Sequence, residues 1–548
     1  MVEIETIISS DLFAYNPNIE GFVYTLIDNI EMKKYTRILR EYCEIHKCFF
    51  PKRQDISYVY RTMVRHNKIA KNPKLEEQLM TKNYRMSGVM VVTISTKADN
   101  FSCCYDCHYC PNEVGQPRSY LSSEPVLKRA MSFGYDPVEQ FFYRANILYR
   151  SESDLDKLEV IILGGTWSCY DHTYQEEFIR DIYYASNVFF DKLDGKQLRE
   201  KKTLEEEQLL NETGMSRIIS ITLETRPDMI NSEEIKRFRR YGCTRVQIGI
   251  QHTDDQILKA VNRRCTYQQI INAIKMLKDN GFKVDIHIMP NLPTSTPEKD
   301  IRMFEMIINS PDLQVDQWKI YPCEVVPFTK IKEWYESGEY IPYSVEQLRE
   351  VIKYAIAHVP YHVRINRIVR DIPMSSVIAG IEGQSMRDEA QIELEQFGIT
   401  SHDIRYREVK SGSFDRENIQ IVVRQFYASD GIEYFISHES MDNLTLYSLL
   451  RLRINSIHNE CVFPELQECT MIREVHVYGK MVRHSEITLG QETQHRGLGT
   501  ELVNKAIEIS KDCGYHNIAV ISGIGVNQYY IQKLGFNRGV YGYLTKSF

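Results

Sequence analysis

No stretch of the 548 residues runs to about 18 consecutive apolar side chains, so the sequence offers no membrane-spanning helix. The opening residues, MVEIETIISSDLFAYNP, carry early acids and no basic region ahead of an apolar one, which argues against a signal or transit peptide. Thirteen cysteines are too sparse for a disulfide scaffold at this length, and nine stand singly, as reduced and buried small hydrophobes do. Positive charge is not in excess either, the net being −7. What remains is an ordinary folded composition, 43% hydrophobic and 26% charged, in a chain long enough for roughly two to four domains. The expectation is a cytoplasmic protein with no membrane partner.

The charge is unevenly spread. From Lys33 to Arg85 fourteen Lys and Arg stand against five acids, a local +9 that leaves −16 for the rest. Tyr35, Tyr42, Tyr58, Tyr60 and Tyr84 are interleaved. Such a basic, aromatic-studded segment fits a polyanion footprint, and equally a solvated helical face.

After Arg85 short β-branched runs recur at intervals that hold one helix each: VMVVTIS, LEVIILGG, RIISITLE, RVQIGIQ, KVDIHIMP and VDQWKIYP. Between them SEEIKRFRRYG, with Ser232 as a plausible N-cap, and TYQQIINAIKMLKDNG end in Gly242 and Gly281. Six strand–helix units predict a parallel sheet with right-handed crossovers, curled into a partial or full barrel. Function then belongs on the loops after the strands' C-terminal ends.

The first of those loops holds CCYDCHYCP, residues 103 to 111. Cys104, Cys107 and Cys110 are spaced C-x2-C-x2-C; Cys103, Cys107 and Cys110 are spaced C-x3-C-x2-C. The second is the radical S-adenosylmethionine (SAM) spacing, in which three thiolates hold three irons of a 4Fe–4S cluster and leave the fourth for SAM. Zinc would want a fourth ligand, which Cys104 or His108 could supply, though no second ligand pair is near in sequence. The next strand ends in Gly164-Gly165-Thr166, where glycines let backbone groups approach a ligand such as the SAM ammonium.

From about Ser411 the texture becomes alternating strands, followed by QHRGLGTELVNKAIEIS. Gln494 to Gly499 fits Q/R-x-x-G-x-G/A, the pyrophosphate loop of GCN5-related N-acetyltransferases (GNAT). There exposed N–H groups at a helix N-terminus suit the anionic pyrophosphate of acetyl-CoA. Tyr529 and Tyr530, after the following strand, are candidates to lie near the thioester, or simply to pack as aromatics on a helix.

A radical SAM barrel followed by such an acetyltransferase closely resembles the catalytic subunit of the Elongator complex and its archaeal and bacterial relatives. The resemblance runs from about Tyr84 to the C-terminus, on phrases such as ITLETRPD, GCTRVQIGIQ, GFKVDIHIMPNLPTSTPEKD, IRYREV, IREVHVYG and VISGIGVNQYY. It implies an α/β chain: a basic helical tRNA-binding segment (1–85), a radical SAM partial (β/α) barrel (86–345), a linker (346–410) and a GNAT acetyltransferase α+β domain (411–548). It also implies modification of the tRNA wobble uridine to 5-carboxymethyluridine. A SAM-derived radical would take hydrogen from the acetyl-CoA methyl, and the carbon would join C5 of uridine. tRNA and acetyl-CoA are the implied partners, with other Elongator-like subunits beside them. By match to the family motifs, Cys103, Cys107 and Cys110 hold the 4Fe–4S cluster, and Gly164, Gly165, Thr166, Glu224 and Gln251 face SAM. Lys157, Glu474, Val475, His476, Val477, Gly497, Leu498, Gly499 and Tyr530 contact acetyl-CoA, with Tyr529 and Tyr530 as the catalytic candidates.

The chain departs from the family in three places. The usual eukaryotic C-x9-C-x2-C would put its first cysteine at Lys97, so Cys103, or Cys104 in its stead, takes that role. No cysteine lies between Cys323 and Cys461, and Ser401-His402 stands where relatives have a zinc-associated cysteine, so no zinc is expected there. Thr294 replaces a glycine in the LPTST loop. Two other functions remain open: a protein-lysine acetyltransferase, and a tRNA-binding scaffold with a degraded radical site.

Overall fold

The computed structural model describes residues 19–30, 33, 35–47, 51–79, 88–98, 103, 105–150, 155–380, 385–409, 416–479 and 497–548. Cys104, Tyr84 and the Gln494–Arg496 part of the glycine loop lie outside these residues.

Seven parallel strands form one sheet in chain order: β1 (Met90–Ser95), β2 (Leu158–Leu163), β3 (Ile218–Thr225), β4 (Cys243–Gln251), β5 (Lys283–Ile288), β6 (Gln317–Ile320) and β7 (Arg364–Ile368). This is the half-barrel that the strand–helix alternation predicts, with one strand more than the six read from the sequence. β7, RINRI, carries three polar residues in five and so lacks the continuous apolar run of a buried parallel strand. The helices that cross between strands are capped as their sequences require. Thr266 and Gln269 form a capping box at Tyr267–Asp279. At Ser232–Arg240 the cap is Asn231, one residue before the expected Ser232; its side chain accepts from the amides of Glu233 and Glu234. Gly242 and Gly281 follow their helices at φ of 75° and 82°, the left-handed conformation that ends a helix most readily with glycine.

A second sheet has the order β13–β14–β12–β11–β10–β9–β8, comprising β8 (Ile419–Ala428), β9 (Gly431–Ser440), β10 (Leu446–Ile454), β11 (Cys469–Val477), β12 (Asn517–Val520), β13 (Asn537–Arg538) and β14 (Leu544–Ser547). Only β11 and β12 run parallel, and the helix Leu498–Asp512 connects them. Its own core includes Ile436, Leu450, Ile472, Leu502 and Val520.

The two halves share a core and a buried charge network. Phe463, Met471, Ala519 and Tyr543 of the second half belong to the same apolar cluster as the barrel strands. A Cβ on Gly523 would fall 1.8 Å from the Ile219 carbonyl oxygen, so backbone lies directly on backbone. Arg473 donates to both Asp316 oxygens at 2.9 and 2.5 Å, and to Glu433 at 2.7 Å. Arg451 reaches Asp316 at 3.3 Å and Glu474 at 2.8 Å, while Lys278 meets Glu433 at 3.0 Å. Burial opposes ionisation of Glu433, yet Arg473 and Lys278 hold its carboxyl down to about 2. Asp316 is likewise held well below the usual carboxylate range, by Arg473 and Arg451 against the same burial.

The N-terminal segment forms helices Glu20–Asn29, Tyr35–His46, Arg53–Arg65 and Pro73–Leu79. Tyr35, Tyr58 and Tyr60 are buried core residues rather than surface stacking platforms. Several of the cations are spent on intramolecular contacts: Lys33 and Arg37 on Glu41, Arg65 on Asp194, and Lys68 on Glu20. Arg61 donates to the Tyr149 carbonyl at 2.7 Å and sits over that ring, tying the segment to the barrel. Arg40, Lys47 and Lys52 are exposed.

Candidate active site

Cys103 lies against the turn that follows β2, and Cys107 against Arg226 just after β3 and Arg263 beyond β4. Cys107 is buried, and two guanidinium groups donate to its sulfur: Arg226 Nη1 at 3.6 Å and Arg263 Nη1 at 3.8 Å. Cys103 Sγ lies 4.0 Å from Thr166 Oγ1, so the expected SAM turn and the first thiol are neighbours. A hydrogen bond with Cys169, the largest cause, brings the Cys103 thiol down to about 5 against the opposing effect of burial. Burial pushes Cys110 up to about 11.

Gly164 and Gly165 have φ of 141° and 89°, and a Cβ on Gly164 would stand 1.7 Å from Thr96 Oγ1. Only glycine brings this turn so close to the end of β1.

Among the described residues, no three acidic, cysteine or histidine side chains converge on a single metal ion. A cluster asks something else of the loop, because each thiolate binds a different iron. Three thiols on one loop, with cationic nitrogens on the buried one, fit such an anionic group.

Glu224 and Gln251 stand at the ends of β3 and β4 and line a cavity of about 1150 Å³. Glu224 accepts from Tyr120 Oη at 3.1 Å and faces His287 Nδ1 at 3.5 Å. Burial raises the Glu224 carboxyl and, with Lys319 and Arg370 nearby, drives His287 well below its ordinary value. His287 is therefore a neutral imidazole, its Nε2 3.2 Å from the Gln247 side-chain oxygen. Gln251 has φ of 68°, and its carbonyl accepts from Met289 at 2.7 Å, which turns the chain out of the strand at the cavity.

The same cavity continues down the barrel lumen, between the N-terminal ends of the strands, to the second sheet. Its wall is polar. Glu159 meets Arg245 at 2.5 Å, Arg245 donates to Gln317 at 2.7 Å, and Lys319 donates to Gln247 at 2.5 Å. Lys157, just before β2, lines the lower end together with Lys283, which pairs with Glu474 at 2.6 Å. Burial opposes ionisation of Glu474, but Lys283 and Arg451 hold its carboxyl well below the usual range.

The β11–β12 ladder spans Cys469 to Ile472, whereas β11 continues along β10 to Val477, with the register skipping Arg473. The bulge turns Arg473 and Glu474 both toward the barrel. Val475, His476 and Val477 then line the cavity beside Gly497, Leu498 and Gly499. Gly497 has φ of 87° at the N-cap of its helix. A Cβ on Gly499 would lie 3.3 Å from Tyr529 Oη and 3.8 Å from both valines, so strand, helix N-terminus and tyrosine converge on one spot. Tyr530 is buried beside Tyr529, their ring centroids 5.4 Å apart, in the turn Tyr529–Lys533. The cysteines and the Gly164–Thr166 turn flank the upper mouth, next to the lining residues Tyr109, Pro111 and Leu163.

Residues 101–307 match the Radical SAM superfamily, and residues 315–396 match the Radical_SAM C-terminal domain. The tRNA uridine(34) acetyltransferase of Methanocaldococcus jannaschii is 36% identical over 470 residues, 83% of each chain. Elongator complex protein 3 of Saccharomyces cerevisiae is 33% identical over 444 residues, 78% of this chain and 77% of that one. The solved structure of the archaeal Methanocaldococcus infernus Elp3, lacking its N-terminus, superposes with a TM-score of 0.72 at 34% identity, over 84% of this chain and 100% of that one. The chain belongs to the Elongator complex protein 3 family. Its radical SAM half brings a 4Fe–4S cluster and SAM with it.

In this Elongator complex protein 3 relative the structure gathers the motif residues at the two ends of one cavity. It adds residues that the motifs omit: Arg226 and Arg263 at the buried thiol, Cys169 at Cys103, His287 and Tyr120 at Glu224, and the lumen charges Glu159, Arg245, Lys283 and Lys319. Glu324, also in the wall, is pushed up to about 7 by burial. A signal for the lumen was present: Lys283, Asp285 and His287, like Arg245 and Gln247, alternate along strands that are otherwise apolar.

Proposed function

We propose that this chain modifies the wobble uridine of tRNA, building a 5-carboxymethyl group on C5 from the acetyl group of acetyl-CoA. The observation that carries the reading is the single cavity joining the Glu224–Gln251 end to the Gly497–Gly499 end. Two separate activities would not need a shared interior.

On this reading Cys103, Cys107 and Cys110 hold the cluster, and Gly164, Gly165, Thr166, Glu224 and Gln251 hold SAM. When bound, that pair supplies a carbon-centred radical able to abstract hydrogen from an unactivated methyl group. Backbone amides at the Leu498 helix N-terminus carry the pyrophosphate of acetyl-CoA, and Lys157 adds positive charge at the same end. The β11 backbone from Glu474 to Val477 runs beside the pantetheine arm. Tyr530, with Tyr529 against Gly499, orients the thioester. The lumen accommodates the acyl group between the ends, and His287 stands beside Glu224 at its upper end. The basic helices present Arg40, Lys47 and Lys52 to the tRNA backbone.

The test is incubation of the anaerobically reconstituted chain with SAM, acetyl-CoA and unmodified tRNA, followed by nucleoside mass spectrometry. The expected product is 5-carboxymethyluridine, lost in Cys107→Ala. Acetylated lysine formed equally well by wild type and Cys107→Ala, with unmodified tRNA, would establish the lysine acetyltransferase instead. Binding of tRNA with neither product would establish the scaffold.

A further inference from the structure

Of the three described thiols in the cysteine loop, Cys103 neighbours Thr166 and Cys110 meets one guanidinium, that of Arg118. Cys107 is 6% exposed and receives two guanidinium groups, each already fixed by other bonds. Arg226 forks onto Asp228 at 2.9 and 3.2 Å, donates to the Arg263 carbonyl at 2.7 Å, and stacks 3.6 Å over the Tyr105 ring. These contacts leave Nη1 pointing at the sulfur. Arg263 is bound to the Gly249 carbonyl through Nη2, and its Nε is buried with no hydrogen-bond partner. A Cβ on Gly249 would come within 3.1 Å of Arg263 Nη2, so the strand makes room for this arginine. Arg226 already faces the Asp228 carboxylate, whereas Arg263, buried beside the same thiol, is costly unless an anion faces it too.

We infer that Arg226 and Arg263 are positioning residues that set the reduction potential of the cluster through Cys107. The inference rests on the reading that Cys103, Cys107 and Cys110 hold a 4Fe–4S cluster. Taking up one electron from a low-potential reductant adds one negative charge to the cluster and changes no bond. N–H groups on a ligand sulfur and fixed positive charge in a buried site both favour the more negative state. The arginines therefore raise the potential and make the cluster reducible by a weaker donor. Asp228 offsets part of the Arg226 charge, so Arg263, which pairs with no carboxylate among the described residues, carries the larger share.

The experiment is an EPR-monitored dithionite titration of the reconstituted full chain, with iron counted in every sample. The samples are wild type, Arg226→Gln, Arg263→Gln, Arg226→Lys and Arg263→Lys. Each Gln variant is expected to hold about four irons and to favour reduction about tenfold less, a drop of about 59 mV for one electron. The Arg263→Gln shift should be the greater, and the Lys variants should fall between Gln and wild type. Unchanged midpoints in iron-loaded Gln variants would overturn the inference. So would folded Gln and Lys variants that all fail to hold iron, because the arginines would then shape the loop rather than tune the cluster. A wild-type chain without iron would instead defeat the cluster assignment itself.

Discussion

Arg473→Met should uncouple the two halves of the chain. Arg473 is fully buried on the β11 bulge; its loss removes two bonds to Asp316, one to Glu433 and one to the Phe282 carbonyl. Two buried carboxylates then share fewer cations, and breaking a buried pair of this kind costs about 3–5 kcal/mol. With a urea slope of about 3 kcal/mol per molar, the unfolding midpoint should fall by on the order of 1 M. A second substitution checks the cause. In Arg473→Met with Asp316→Asn the remaining charges pair off as Lys278–Glu433, Arg453–Asp279 and Arg451–Glu474. An asparagine oxygen can still accept from the Val284 amide, which now donates to Asp316 at 2.8 Å. The double variant should regain more than half of the lost stability, a non-additivity expected of contacting residues. A single variant with an unchanged midpoint, or a double variant no better than the single, would refute the reasoning.

The same network sets the acid limit. The folded values of Asp316 and Glu433 lie below their unfolded values of about 4, so their contribution is full above about pH 4 and is lost as pH falls toward the folded values. Circular dichroism against pH should show loss of structure starting below about pH 4, and Glu433→Gln should flatten that dependence. Gly164→Ala forces a Cβ onto Thr96 Oγ1 at an unfavourable φ, a strain of about 1–3 kcal/mol; calorimetry should show SAM binding at least fivefold weaker, with iron retained. Gly499→Val fills the spot where Tyr529, Val475 and Val477 meet, and should weaken acetyl-CoA binding more than tenfold without altering SAM binding.

Sequence pattern carried the two sheets, because β-branched runs and glycine-ended helices are local signals. β7 escaped because RINRI is polar on a strand whose neighbour β6 and the Asp403 side chain hold it in place. The cysteine loop, Gly164–Thr166 and the Gly497 turn could be picked out as candidates since each motif is short and contiguous. Arg226 and Arg263 could not: they lie 119 and 156 residues from Cys107, and only the fold brings them to its sulfur. The tyrosines of the basic segment show how composition alone leaves orientation open. Interleaving with cations fitted a polyanion footprint or a solvated face, while Tyr58 and Tyr60 themselves are buried in the core.

The central claim is that one cavity lets the acetyl group and the radical end meet. Incubating the reconstituted chain and tRNA with SAM and methyl-deuterated acetyl-CoA tests it, by mass spectrometry of the 5′-deoxyadenosine formed. The account predicts 5′-deoxyadenosine carrying deuterium, with the label lost in Gly499→Val. Abundant 5′-deoxyadenosine without deuterium, beside tRNA that still acquires the carboxymethyl group, would contradict it.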